Sequence, residues 1–327
     1  MLNRKRAFFF VLAMLMAVSA VANNFRAGDL VYLPVAGRVQ GAALFKTDVW
    51  VSNLSTTDSV TIDVAYAPTG NVDNRSVTGS LIRLATLNPG ERREFIDIFA
   101  AGNLNISGNP FGQLLFFGCR AGGNCSNCDT NAADCRLITV EARVFAELTT
   151  GCAGGATLCT NGQDVPGFPW YNYASVDSAD RGLDRVFITG FRQTGAPGQQ
   201  GTFRSNLGLV NASQFSSTTL RVTLFNAAGA SQGFRDIVLN PLGHLQLPIT
   251  HASLYPSFTG SGAWVTIEQT SVSIVPGATD ALPGFFAYGS VLDNIGSDPT
   301  TLEPQYFEDM DYVCIYGSKP QKRPARR

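Results

Sequence analysis

Histidine is almost missing from this 327-residue chain, which has only His244 and His251. That leaves little material for a multi-histidine metal centre or for imidazole catalysis. Charge is sparse too: 15% of residues are charged, against about 25% in an ordinary globular chain. The formal net charge is −1, so nothing supports electrostatic binding of nucleic acid. Beyond residue 22 no apolar stretch approaches the roughly 20 residues of a membrane span. Long helical periodicity is absent, as are a P-loop, a dinucleotide fingerprint, HExxH and an RNA-binding signature. What the chain does have is 45% hydrophobic residues, 33 Gly and 16 Pro. Such a chain can bury a core and must turn often.

The first residues read as an address. Arg4, Lys5 and Arg6 precede an apolar run from Ala7 to Val18, and Ser19-Ala20-Val21-Ala22 supplies small residues at a cleavage site. The run is about 12 residues, short for a span, so a signal peptide over 1–22, cut after Ala22, is expected. Removal turns 24 basic against 25 acidic residues into 21 against 25, a charge of −4. The expected location is secreted, periplasmic or on the cell surface, with no transmembrane span left.

The cysteines fit export. Of seven, Cys119, Cys125, Cys128, Cys135, Cys152 and Cys159 crowd into a Gly- and Asn-rich insertion over 118–160, and Cys314 stands apart. Gly118-Cys119 to Cys125 and Gly151-Cys152 to Cys159 each place two cysteines around a Gly-Gly. Local disulfides are expected, with Cys152–Cys159 favoured and Cys119–Cys125 with Cys128–Cys135 the simplest completion. A zinc site of Cys119, Cys125, Cys128 and Cys135 is the alternative, but only one CxxC is present.

The chain repeats itself. Phe45 to Ser55 (FKTDVWVSNLS) aligns without a gap with Phe203 to Ser213 (FRSNLGLVNAS). Leu87-Asn88-Pro89-Gly90 answers Leu239-Asn240-Pro241-Leu242, and a weaker match sets Glu147 opposite Asp293. Within each copy the period is two, as in Ile62, Val64 and Tyr66 or Leu220, Val222 and Leu224. One or two helical turns are expected over 91–101 and 249–255. The fold class expected is all-β: two tandem antiparallel β-sandwiches related by internal duplication. The first spans 23–175, a linker 176–184, the second 185–301, and a basic tail 302–327.

These motifs resemble those of a loosely defined group of secreted bacterial proteins with tandem Ig-like β-sandwich repeats. The resemblance lies in Phe203 to Asn211, Leu87 to Gly90, Ala287 to Thr300 and Gly162-Gln163-Asp164-Val165-Pro166, and covers most of 30–301. It implies an extracytoplasmic β module and supplies no activity. At Leu242 the family turn would carry Gly, which predicts a shifted turn over 241–245.

Candidate sites are few. Gly229-Ala230-Ser231-Gln232-Gly233 fits G-x-S-x-G but reads as a hairpin rather than a nucleophile elbow. His244 and His251 read as surface or turn residues. The carboxylates Asp48, Asp63, Glu141, Glu147, Glu268 and Asp293 are the material for a hydrolase, which needs two in one cleft. No catalytic residue and no cofactor is assigned. Asp129, Asn131 and Asp134 are possible calcium ligands, with Asp177, Asp180 and Asp184 a second oxygen-rich stretch; solvated Asx-rich turns are the favoured reading of both. Trp170, Tyr171 and Tyr173 form an aromatic segment that can stack on sugar rings or pack the two domains together. The expectation is a non-enzymatic structural or adhesive protein of the cell surface or extracellular space, its partner a surface polysaccharide or another surface protein. A carbohydrate-binding module is the alternative, and a carboxylate-dependent secreted hydrolase a third.

Overall fold

The computed structural model describes residues 27–306 except 42, 124, 126–133, 149–157, 178–183, 279–282 and 296–297. The expected signal peptide and Cys314 therefore lie outside the described residues. Within them the chain is all-β, and every strand pair is antiparallel.

In the first half, β1 (Leu30–Gly37), β4 (Val60–Pro68), β5 (Ile82–Leu87), β7 (Phe111–Arg120) and β10 (Phe168–Pro169) form a sheet in the order β10-β1-β7-β4-β5. A second sheet runs β2-β3-β8-β9, from β2 (Val39–Gln40), β3 (Leu44–Asn53), β8 (Ile138–Leu148) and β9 (Cys159–Pro166), with β6 (Arg92–Phe95) also on β3. The second half repeats this pattern. There β11 (Arg185–Gln193), β13 (Ser216–Phe225), β14 (Ser231–Leu239), β16 (Gly260–Ile274) and β19 (Gln305–Tyr306) pair in the order β14-β13-β16-β11-β19. The remaining strands β12 (Phe203–Asn211), β15 (His244–Pro248), β17 (Phe285–Asp293) and β18 (Pro299–Leu302) pair as β15-β12-β17-β18. Apart from β2, which has no counterpart among the described residues, the two orders coincide. β19 carries the second sandwich to Tyr306, past the expected end at 301.

The coincidence extends to single hydrogen bonds. Asn53 and Asn211 are both buried at the end of their strands. The Asn53 Nδ2 donates to Asp58 O and Asn88 O at 2.8 and 2.9 Å, and Asn211 Nδ2 to Ser216 O and Asn240 O at 2.7 and 2.9 Å. Each Oδ1 accepts from the backbone two residues on, at Ser55 and Ser213. One amide thus satisfies three backbone groups that no strand partner reaches. Thr47 and Ser205 match likewise, each hydroxyl bonded to both backbone groups of a preceding-strand residue, Gly37 or Arg192.

Two details differ from expectation. Residues 92–95 are strand β6, not a helical turn; Val49 and Val51 of β3 already offer its partner edge. Pairing of β3 with β8 and β12 with β17 sets Ala146, not Glu147, level with Asp293, so Glu147 corresponds to Asn294. The ion pair Lys46–Glu147 is answered by Arg204 donating to Asn294 Oδ1.

The four sheets stack. β1 packs against β3 and β8 on one side and against β12 and β17 on the other, while β11 packs against β12 and β17. The sheets holding β1 and β12 are therefore inner layers where they meet. There β1 from Val31 to Gly37 and β17 from Phe285 to Val291 are buried without interruption, as strands covered on both faces are. On β17, Phe285 and Ala287 enter the second core, and Phe286 and Tyr288 enter the first.

Candidate functional site

Among the described residues, the junction between the inner sheets holds a dense set of buried polar groups that joins both halves. It is built on the second copy of the Asn-Pro turn. Asn240 N donates to Asn71 Oδ1 at 2.8 Å and Asn240 Nδ2 to Asn71 O at 2.6 Å. Asn74 N donates to Pro241 O, and Asn74 Nδ2 and Gln113 Nε2 both donate to Leu242 O, at 3.0 and 2.8 Å. Gly70 N, Asn71 N and Thr69 Oγ1 converge on His244 O. Tyr32 OH donates to Ala212 O at 2.8 Å.

Leu242 sits in the left-handed region at φ 48°, as Gly90 does at φ 69°. The expected shift of the 241–245 turn is therefore not found: Leu242 keeps the glycine geometry. The strain is about 1–2 kcal/mol. Leu242 is 1% exposed and belongs to the first core, and burying a leucine contributes about 1.5–3 kcal/mol. Burial outweighs strain, which is why a leucine is tolerated there.

His244 is fully buried, contrary to the expectation of a surface position. β15 is an edge strand of an inner sheet, and the first sandwich covers its turn end. The imidazole meets Phe111 edge-on at 5.7 Å, and its Nε2 lies 3.1 Å from Tyr288 OH, which donates to Gln246 Oε1 at 2.9 Å. Burial pulls its pKa down to about 3, because the charged ring is stripped of water. Burial likewise pushes the Tyr288 phenol up. Gly208, opposite Tyr288, leaves room for that ring: a Cβ there would overlap it. His251, in contrast, is exposed.

The other candidate residues do not converge. Trp170 and Tyr171 lie in a 3₁₀ turn and are 37% and 52% exposed. Their rings meet edge-to-face at 80°, so they present no common flat face. Trp170 Nε1 donates to Asp29 Oδ1, and Tyr171 OH donates to Ala27 O, which ties both to the start of the chain's described part. Tyr173 is partly buried against the first core, its ring beside Gly284. Of the calcium candidates, Asp129, Asn131 and Asp180 lie outside the described residues. Asp134 uses its backbone oxygen to accept from Arg120 N, and Asp184 pairs with Arg185.

Cys119–Cys125 is a disulfide with Cα atoms 5.2 Å apart, so those two sulfurs are not available for a four-cysteine zinc site. Asp63, beside that bond, pairs with Arg83. Cys135 is a backbone partner of Cys119. Cys159 is disulfide-bonded; Cys128 and Cys152 lie outside the described residues. The carboxylates named in the sequence are each engaged: Asp48 accepts from Asp97 N, Glu141 pairs with Arg92, Glu147 with Lys46, Glu268 with Arg185, and Asp293 accepts from Ile295 N. Ser231 opens strand β14 opposite Phe225, which makes Gly229 to Gly233 a hairpin.

An aromatic patch that sequence reading passed over lies on the outer face of the second sandwich. Phe225 and Trp264 stack at 4.0 Å and 8°, and the Arg221 guanidinium covers Phe234 at 4.2 Å. The alternation of β13 carried that signal, since Thr219, Arg221, Thr223 and Phe225 share its outward face. No helix among the described residues is long and apolar enough to cross a membrane. Compared with protein-family models and with curated proteins, the chain matches none.

Proposed function

We propose that the chain is a non-enzymatic, exported structural or adhesive protein of the cell surface or extracellular space. The junction carries the reading. Two sandwiches joined by a flexible linker would have a small, polar interface; here Phe286, Tyr288, Val210 and Leu242 of the second half belong to the first half's core. Such a unit transmits position and force without relative motion of its halves. The like strand orders and the paired Asn53 and Asn211 networks support an origin by duplication. The direct test is the purified mature chain, Asn23 onward, assayed for retention on intact cells and cell-wall polymers with and without calcium, beside a panel of ester, glycoside and peptide substrates. Retention without turnover is expected; turnover of any of them overturns the reading.

A second reading, carbohydrate binding, is favoured by the face-to-face Phe225–Trp264 stack, whose outer ring face lies beside Thr223, Thr266 and Arg221. Flat aromatic faces beside hydroxyl and guanidinium donors suit sugar rings. It expects Trp264→Ala to lose glycan retention with the fold intact. Loss on Trp170→Ala instead would move the platform to the Trp170–Tyr171 turn.

A further inference from the structure

We propose that His244 is an acid-released latch: taking up a proton on its ring loosens the contact between the 239–244 turn and the 68–74 loop. The single hydroxyl proton of Tyr288 goes to Gln246 Oε1, so Tyr288 O accepts from the Nε2–H of His244. The ring's other nitrogen, Nδ1, is then a bare acceptor, buried and without a hydrogen-bond partner. A second proton has to go to that atom. It places a full charge and an unmet N–H inside an apolar contact formed by Phe111 and Tyr288.

The elements around the ring offer no compensating charge among the described residues. On β15 and β17 the titratable neighbours are Tyr288 and, at the far end of β17, Asp293, level with Phe203 rather than with Val210, the partner of His244. Arg204 lies at that same far end of β12. From the first sandwich, β7 brings Phe111 and Gln113, its Arg120 being at the opposite end; β4 brings Tyr66, bonded to Phe111, and Asp63, already paired with Arg83. The 68–74 loop carries Asp73, which pairs with Arg75 in solvent. β14 carries Arg235 and Asp236, the latter paired with Arg221. Gln113 Oε1 is a second buried acceptor without a partner on the same junction.

The junction bonds end on the same residue's backbone. Gly70 N and Asn71 N donate to His244 O at 3.1 and 3.2 Å, so moving His244 releases them. The sign follows from the lowered pKa. The closed form resists the proton and the open form accepts it at the ordinary value. Closure is therefore complete above about pH 6.5 and weakens as pH falls toward about 3. Between pH 7 and pH 4 the open-to-closed ratio rises about 200-fold.

The test is native-state amide hydrogen exchange across that pH range on the full mature chain, beside an NMR titration of its two imidazoles. After correction for intrinsic rates, opening at Gly70 and Asn71 is expected to rise about 200-fold, while Val222 and Leu224 in β13 stay unchanged. In His244→Gln the rise disappears. A His244 ring that charges near pH 6.5 with Gly70 and Asn71 still protected, as capture of the proton by Gln113 Oε1 would produce, overturns the latch. So does an equal rise in His244→Gln. If that variant does not fold, the wild-type titration and exchange decide alone.

Discussion

The chain contains the same turn twice, and the two copies do different work. At Leu87 to Glu91 the turn is exposed, Gly90 takes the left-handed position, and Asn88 N–H is met by Glu91 Oε2 at 2.8 Å. That bond, with Arg93 next, holds the Glu91 carboxyl below its usual range. At Leu239 to Gly243 the turn is docked, Leu242 takes that position, and Asn240 N–H is met by Asn71 of the other sandwich. The backbone bonds are otherwise alike: Gly90 N to Ser55 O and Leu242 N to Ser213 O, Glu91 N to Asn88 O and Gly243 N to Asn240 O. Gly243 stands where the free turn has Glu91; a Cβ there would meet Asn240 O at 2.7 Å and Asn71 Oδ1 at 2.8 Å. The backbone is common property of the two copies, and the side chains decide which copy becomes an interface. The free turn carries the same Asn-Pro pair but has Gly90 and Arg92 where the docked turn has Leu242 and His244.

The comparison can be broken by mutation. Leu242→Ala keeps the strained backbone and empties the junction, and is expected to cost about 2–5 kcal/mol in chemical denaturation. Gly90→Leu, which copies the second turn onto the free end, gains no burial and is expected to cost only about 1–2 kcal/mol. Equal costs would show that docking is irrelevant to Leu242. Asn53→Ala and Asn211→Ala each orphan buried carbonyls and are expected to cost about 2–3 kcal/mol, alike within error; a wide gap would break the correspondence of the two networks. The smallest effect is expected at Lys46→Ala against Arg204→Ala. Both remove a partly buried charge-assisted bond and should cost under about 1 kcal/mol each, and the Lys46 variant's loss is expected to shrink in high salt.

Much of the fold was legible. Period-two patterning located the strands, Pro and Gly located the turns, and the gapless match at Phe45 and Phe203 paired the halves. The junction was not legible from local pattern, because contact between sheets leaves no period of its own. Its trace was there in two forms. Leu30 to Gly37 and Phe285 to Val291 are apolar on both faces, as strands between two layers must be. Leu242 departs from the glycine its turn asks for, and His244 stands where the first copy has Arg92. An imidazole reads as a surface group until the neighbouring sheet is placed over it. The one-residue error at Glu147 has the same root: with β17 buried on both faces, hydrophobicity does not fix its register against β8.

If the junction makes the two sandwiches one cooperative unit, they unfold together. The measurement is equilibrium denaturation of two single-tryptophan variants, one keeping Trp50 in the first sandwich and the other keeping Trp264 in the second, the remaining tryptophans changed to Phe. Coincident transitions with the same midpoint and slope are expected at pH 7. Two separate transitions, with either sandwich unfolding while the other stays intact, would contradict it.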